Sequence, residues 1–60
     1  MKVNYKGHEL EAVYFEGKFD LWIDGCEFMT SEYFDGSTVE LTLAAGRQAV
    51  DDAIRDGILE

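Results

Sequence analysis

The chain has no proline, a single cysteine, a single histidine and five basic residues in 60. Each scarcity excludes something. Without proline, repeats or a low-complexity tract there is no linker to divide the chain, and residues 1–60 read as one domain. The lone Cys26 excludes an internal disulfide and any multi-cysteine metal site. No apolar run approaches the roughly 18 residues of a membrane span. The opening "MKVNYKGHELEA" holds no apolar signal region and reads as a native start. With one unpaired cysteine this predicts a reducing, cytoplasmic location. Bases are scarce against thirteen acids, giving a formal net charge of −8. Direct binding to nucleic acid is disfavoured, because phosphates would be repelled. A basic partner, or solubility alone, is the function such a charge serves.

What the chain does have is apolar content. Hydrophobic residues make up 47%, with one Trp, three Tyr and four Phe, which places it among globular chains. At this length only about 60% of the unfolded surface is buried, and one core contributes about 3–5 kcal/mol. Glycine punctuates the first part at "KGH", "EGK", "DGC" and "DGS", contexts that signal tight turns. Between them "KVNYK", "ELEAVYF", "KFDLWID" and "CEFMT" alternate with a period of two, which predicts antiparallel strands joined by hairpins.

The last third changes period. Leu43, Gly46, Val50, Ala53, Ile54 and Gly57 recur at spacings of three and four, one stripe of a helix. Gly57 is its natural stop, and Gly46, unfavourable inside a helix by about 1 kcal/mol relative to Ala, fits a close approach to the sheet. Arg47–Asp51 and Asp51–Arg55 stand at i,i+4 on the outer face. "SEYFDGSTVEL" supports two readings. Ser37 and Glu40 fit a capping box, whereas Val39, Leu41 and Leu43 alternate as a strand. The favoured expectation is a loop and a short strand, with Thr42 as N-cap and the helix starting near Leu43.

The predicted fold is therefore α+β: a small antiparallel sheet of three to four strands with one C-terminal helix packed on one face. Val3, Tyr5, Leu10, Ala12, Phe19, Leu21, Ile23, Phe28, Leu43, Val50, Ala53 and Ile54 are expected to form the core. One helix covers one side of such a sheet. The other side then carries Val13, Phe15 and Trp22 among Glu9, Glu11, Asp20 and Asp24, and aromatic area left over after the core is filled generally touches something.

Catalytic constellations are weak. His8 sits beside Gly7 in a turn, and no nucleophile-elbow pattern surrounds Ser31 or Ser37. Cys26 lies among acids, the wrong field for a reactive thiolate, and reads as a half-buried strand residue. Paired carboxylates need a shared concave pocket, for which so short a chain has little room, and "DGCEFMTSE" lacks the alternating acids of a calcium loop. The expectation is no enzyme, no metal and no cofactor.

The strand acids have a geometric property. Carboxylates at i,i+2 stand ~6.8 Å apart, about the spacing of alternate phosphates along one DNA strand. Glu9, Glu11, Asp20 and Asp24 could thus present charge to a groove built for nucleic acid, with Asp51, Asp52 and Asp56 on the helix as a second acidic face. Solvated acids that keep an exposed sheet from self-associating give the same pattern. Phe15 and Trp22, with Tyr33 and Phe34 near them in type, have the character of interface anchors, and surrounding acids would steer a basic partner.

Brevity, a Met1 start, the absence of proline, strong acidity and the lack of a catalytic set together resemble the small acidic proteins of phages and mobile elements. These include anti-CRISPR and anti-restriction inhibitors that act as DNA mimics. The stretch "YKGHELEA…DLWIDG" followed by a helix is also similar to small bacterial sheet-plus-helix proteins. The first resemblance implies a non-enzymatic inhibitor in the host cytoplasm that occludes a basic nucleic-acid-binding site of a host defence complex. It transfers no individual residue. The alternative expectation is a homodimeric assembly module buried through the aromatic face, with acids serving solubility.

Overall fold

The computed structural model describes all 60 residues. Strands β1 (Lys2–Tyr5), β2 (His8–Phe15), β3 (Lys18–Ile23) and β4 (Cys26–Met29) form an antiparallel sheet in the order β1-β2-β3-β4, followed by one helix, α1 (Val39–Arg55). The sheet is a meander because every connection is a two-residue hairpin turn: Lys6-Gly7, Glu16-Gly17 and Asp24-Gly25. In each turn both residues have positive φ, 52° and 84° in the first, 50° and 88° in the second, 53° and 81° in the third. That is the geometry whose twist matches the flanking strands, and glycine in second place accepts it without a Cβ clash.

Helix α1 lies across one face of the sheet. Leu10, Ala12, Leu21 and Ile23 from the two central strands meet Leu43 and Val50 in the buried core, and Val3, Tyr5, Phe19, Met29, Val39 and Ile54 pack around it. The helix is close to the sheet at Gly46, where an added Cβ would lie 2.9 Å from Leu21 Cδ1 and 3.1 Å from Leu10 Cδ1. The expected close approach at this glycine is therefore present.

The helix begins earlier than the alternation of Val39, Leu41 and Leu43 predicts. Thr38, not Thr42, is the N-cap: its backbone is extended and its hydroxyl accepts from the Leu41 N–H at 3.1 Å. Ser37 does not cap; its N–H and hydroxyl both donate to Asp35. Val39 and Leu43 are four apart and both face the sheet, whereas Leu41 points outward. Thr42 instead lies buried, its hydroxyl donating to the Thr38 carbonyl at 2.9 Å. At the other end the helix stops as Gly57 predicts. The Gly57 N–H donates to the Ile54 carbonyl and the Ile58 N–H to the Ala53 carbonyl, the paired bonds that close a helix through a left-handed residue.

A second departure lies in β4. Leu21 pairs with Met29 and Trp22 with Glu27, so Phe28 is the extra residue of a bulge. The bulge turns Phe28 out of the core, leaving it 51% exposed, and brings Met29 in. Cys26 is likewise exposed rather than half-buried. Because β4 ends opposite Leu21, the Phe19 N–H has no strand partner. The Gly36 carbonyl accepts it at 2.8 Å, laying the 30–38 segment along the end of β3. An added Cβ at Gly36 would collide with the Phe19 carbonyl and lie 2.8 Å from Ser31 Cβ.

Candidate docking face on the sheet

The face turned away from α1 carries one continuous cross-strand row. Lys2 stands opposite Glu11, Glu11 opposite Trp22, and Trp22 opposite Glu27. Side chains directly opposite on one face have Cβ atoms about 4.5–5.5 Å apart, so the half-buried indole lies between two carboxylates. The next pairs toward the β2–β3 turn are Val13 with Asp20 and Phe15 with Lys18. Phe15 is 61% exposed, on the side no element covers.

These side chains border a shallow depression of ≈ 440 Å³ lined by Val13, Phe15, Asp20, Trp22, Glu27 and Thr30. A second hollow of ≈ 300 Å³ adjoins it, sharing Phe15, Asp20 and Thr30 and adding Glu16, Lys18, Ser31 and Glu32. Sequence reasoning placed Val13 on this face but missed Glu27 and Thr30, because nothing in "CEFMT" marks the bulge that directs them here.

The acids expected on this face fall into different environments. Asp20 is not an exposed strand charge. Only 7% of it is accessible, because the 30–38 segment passes over it and the Ser31 N–H donates to its Oδ1 at 2.8 Å. Asp24 is a turn residue, and its carboxylate is already engaged. Oδ1 accepts from the Glu9 N–H at 2.9 Å and Oδ2 lies 2.8 Å from His8 Nδ1. The hydrogen bond to His8, helped by the Glu9 N–H, holds the Asp24 carboxyl below its ordinary value. The same bond, with the Glu60 carbonyl at 3.3 Å from Nε2, raises His8 above its ordinary value. Glu9 makes a 3.8 Å ion pair with Lys2, a surface contact of small energetic effect. The evenly spaced array of four strand acids is therefore reduced to Glu9 and Glu11, joined by Glu27.

The helix acids are not a continuation of this face. Asp51 takes hydrogen bonds from the Tyr5 hydroxyl at 3.0 and 3.1 Å and from Lys6 Nζ at 2.6 Å. Lys6 holds its carboxyl below the ordinary value. Asp52 accepts from Gln48 and pairs with Arg55 at 3.3 Å, and Asp56 pairs with Arg55 at 3.2 Å. The expected Arg47–Asp51 and Asp51–Arg55 pairs are replaced, because β1 brings Lys6 and Tyr5 to Asp51 and frees Arg55 for its other neighbours. All three helix acids already have donors from the chain.

No cluster of three or more His, Cys, Asp or Glu side chains converges in a way that could ligate a metal, and no helix is long and apolar enough to cross a membrane. His8 contacts Asp24 and the Glu60 backbone rather than a serine or the thiol. Tyr33, 76% exposed, and Phe34, packed on the core, do not share one environment. Comparison of the chain with protein families, with curated proteins and with solved structures finds no match.

Proposed function

We propose that this chain is a non-enzymatic binding protein whose uncovered sheet face docks on a basic protein surface. By filling a site that otherwise holds nucleic acid, it acts as an inhibitor, the mode of action implied by the anti-CRISPR and anti-restriction class its sequence resembles. One observation carries the reading: Trp22 lies between Glu11 and Glu27 beside a depression that no part of the chain fills. An aromatic anchor flanked by two acids suits a cationic partner, with the ring supplying buried area and the acids supplying steering. The net charge of −8 acts in the same direction at longer range.

The test is capture of proteins from a host lysate on the immobilised chain, with elution by DNA or RNA. Retention of a basic nucleic-acid-handling protein, displaced by nucleic acid and lost with Trp22→Ala, supports the reading. Retention that survives both Trp22→Ala and charge reversal of Glu11 removes it.

A second reading has one observation in its favour. Phe15 and Lys18 stand opposite one another at the exposed end of the hairpin, with Glu16 in the turn between them. An aromatic flanked by both signs of charge can be self-complementary across a two-fold axis. Sedimentation decides it: a concentration-dependent dimer lost with Phe15→Ala favours assembly between copies.

A further inference from the structure

Asp20 is the unusual group on this face. It is a carboxylate more than nine-tenths buried, yet no Lys, Arg or His lies within ion-pair distance of it. Its intrachain partner is the Ser31 N–H, which holds Oδ1. Every fully buried side-chain oxygen in the molecule has a partner. Oδ2, which has none, must therefore reach the surface, and Asp20 lines both hollows of this face, the one beside Trp22 and the adjoining one beside Lys18. Removing a charge from water without a counter-ion is costly. The arrangement is a carboxylate with one unpartnered oxygen bordering a hollow that Phe15 and Trp22 also line. Glu27 and the Thr30 hydroxyl, also without a hydrogen-bond donor from the chain, border the same hollow.

We propose that this depression receives a single arginine side chain of the partner, with Asp20 as the principal acceptor. The inference rests on the reading of the face as a docking surface for a basic protein, and specifies what that surface recognises. Guanidinium suits the hollow better than ammonium for three reasons. It is more weakly hydrated, so it enters a partly enclosed site at lower cost. Its flat face stacks on an indole such as Trp22 or a phenyl such as Phe15. Its several N–H groups can reach Asp20, Glu27 and Thr30 together, which three donors on one tetrahedral nitrogen match less well.

The test uses acetylated and amidated hexa-arginine and hexalysine peptides, equal in charge, titrated into the whole chain. Indole fluorescence and amide shifts around Trp22 report binding. Asp20→Asn keeps an oxygen for the Ser31 N–H while removing the charge. It is expected to weaken hexa-arginine about tenfold and hexalysine by no more than about twofold. Glu40→Gln, an exposed acid in the first turn of the helix, is expected to change neither by more than about twofold. Should Asp20→Asn fail to fold, Glu27→Gln on the exposed edge strand reads the same preference, with an expected loss of about threefold for hexa-arginine alone. Binding of both peptides with an arginine-to-lysine ratio indifferent to these substitutions overturns the arginine site and leaves the docking reading standing. Failure of both peptides to bind removes the docking reading and this inference with it.

Discussion

Replacing Gly46 by alanine sets two physical effects against each other with opposite signs. Intrinsic propensity alone favours alanine in a helix interior by about 1 kcal/mol. Packing opposes it. The new methyl would stand 2.9 Å from Leu21 Cδ1 and 3.1 and 3.3 Å from the two δ-carbons of Leu10. Both leucines are wholly inaccessible to solvent, so neither can rotate outward to make room. Either the two side chains leave their preferred rotamers or the helix lifts from the sheet by a few tenths of an ångström, thinning the contact made by Val50 and Leu43. Overpacking of this kind costs about 1–3 kcal/mol. The net expectation is destabilisation of about 1 kcal/mol, a large share of the ~3–5 kcal/mol such a domain holds. In a thermal melt this lowers the midpoint by about 4–8 °C, and in urea it moves the midpoint without changing the slope. Leu21→Val, which removes the δ-carbon nearest the new methyl, should make Gly46→Ala less costly, a favourable coupling of about 1 kcal/mol in a double-mutant cycle. If Gly46→Ala stabilises the protein by the full propensity difference, the close approach of helix and sheet at this residue is refuted.

Three further outcomes follow from the same contacts. Thr38→Ala removes the hydroxyl that accepts from the Leu41 N–H and should cost about 1 kcal/mol by urea denaturation, whereas Thr42→Ser, which keeps the buried hydroxyl, should not weaken the helix start. Gly36→Ala must displace the 30–38 segment from the Phe19 carbonyl. The Phe19 N–H then loses its acceptor, at a cost of about 1–3 kcal/mol, and faster hydrogen exchange at Phe19 and Ser31 should report it. The His8–Asp24 pair makes stability depend on pH in a defined window. His8 is raised above 6.5, so its contribution is complete below that pH and fades as the pH rises through the folded-state value. Asp24 is depressed below 3.8, so its contribution is complete above that pH and fades as the pH falls further. The pair therefore supports the fold most between about pH 4 and 6.5. His8→Gln should flatten the loss of stability on the alkaline side, and an unchanged pH profile in that variant would show that the pair has no such role.

Much of the fold is legible because its signals are local. Alternation over "ELEAVYF" and "KFDLWID" assigns each side chain to a face, and the turns between strands are short enough to fix register, so Leu10, Ala12, Leu21 and Ile23 are readable as core. The helix start was obscured because Leu41 extends the alternation of Val39 and Leu43, although the spacing of four between those two is the helical signal that holds. Phe28 was misplaced for a different reason. A bulge adds one residue to one strand, and every later side chain changes face with nothing in composition to announce it.

The candidate site was less legible than the fold. Trp22, Phe15, Glu9 and Glu11 follow directly from strand parity, and the structure puts them on the uncovered face. Asp20 has the same parity and the same charge as its neighbours, yet differs in being buried, because a loop eleven residues further on returns its Ser31 N–H to it. Asp51 differs from Asp52 and Asp56 because β1, 46 residues earlier at Tyr5, lies against its part of the helix.

The amino-acid pattern by itself determined the period of β1 to β3 and of the helix from Leu43 on, three of the four turns expected at glycine (at "DGS" Gly36 instead packs against the Phe19 carbonyl), the helix stop at Gly57 and which rings fall on the side the helix leaves open. These depend on backbone sterics and on contacts only a few residues apart. Tertiary structure alone decided which carboxylates are free, which are paired and which one is set into a hollow. The exposure of a charge depends on what segment distant in the chain comes to lie over it, and residue type and spacing do not encode that.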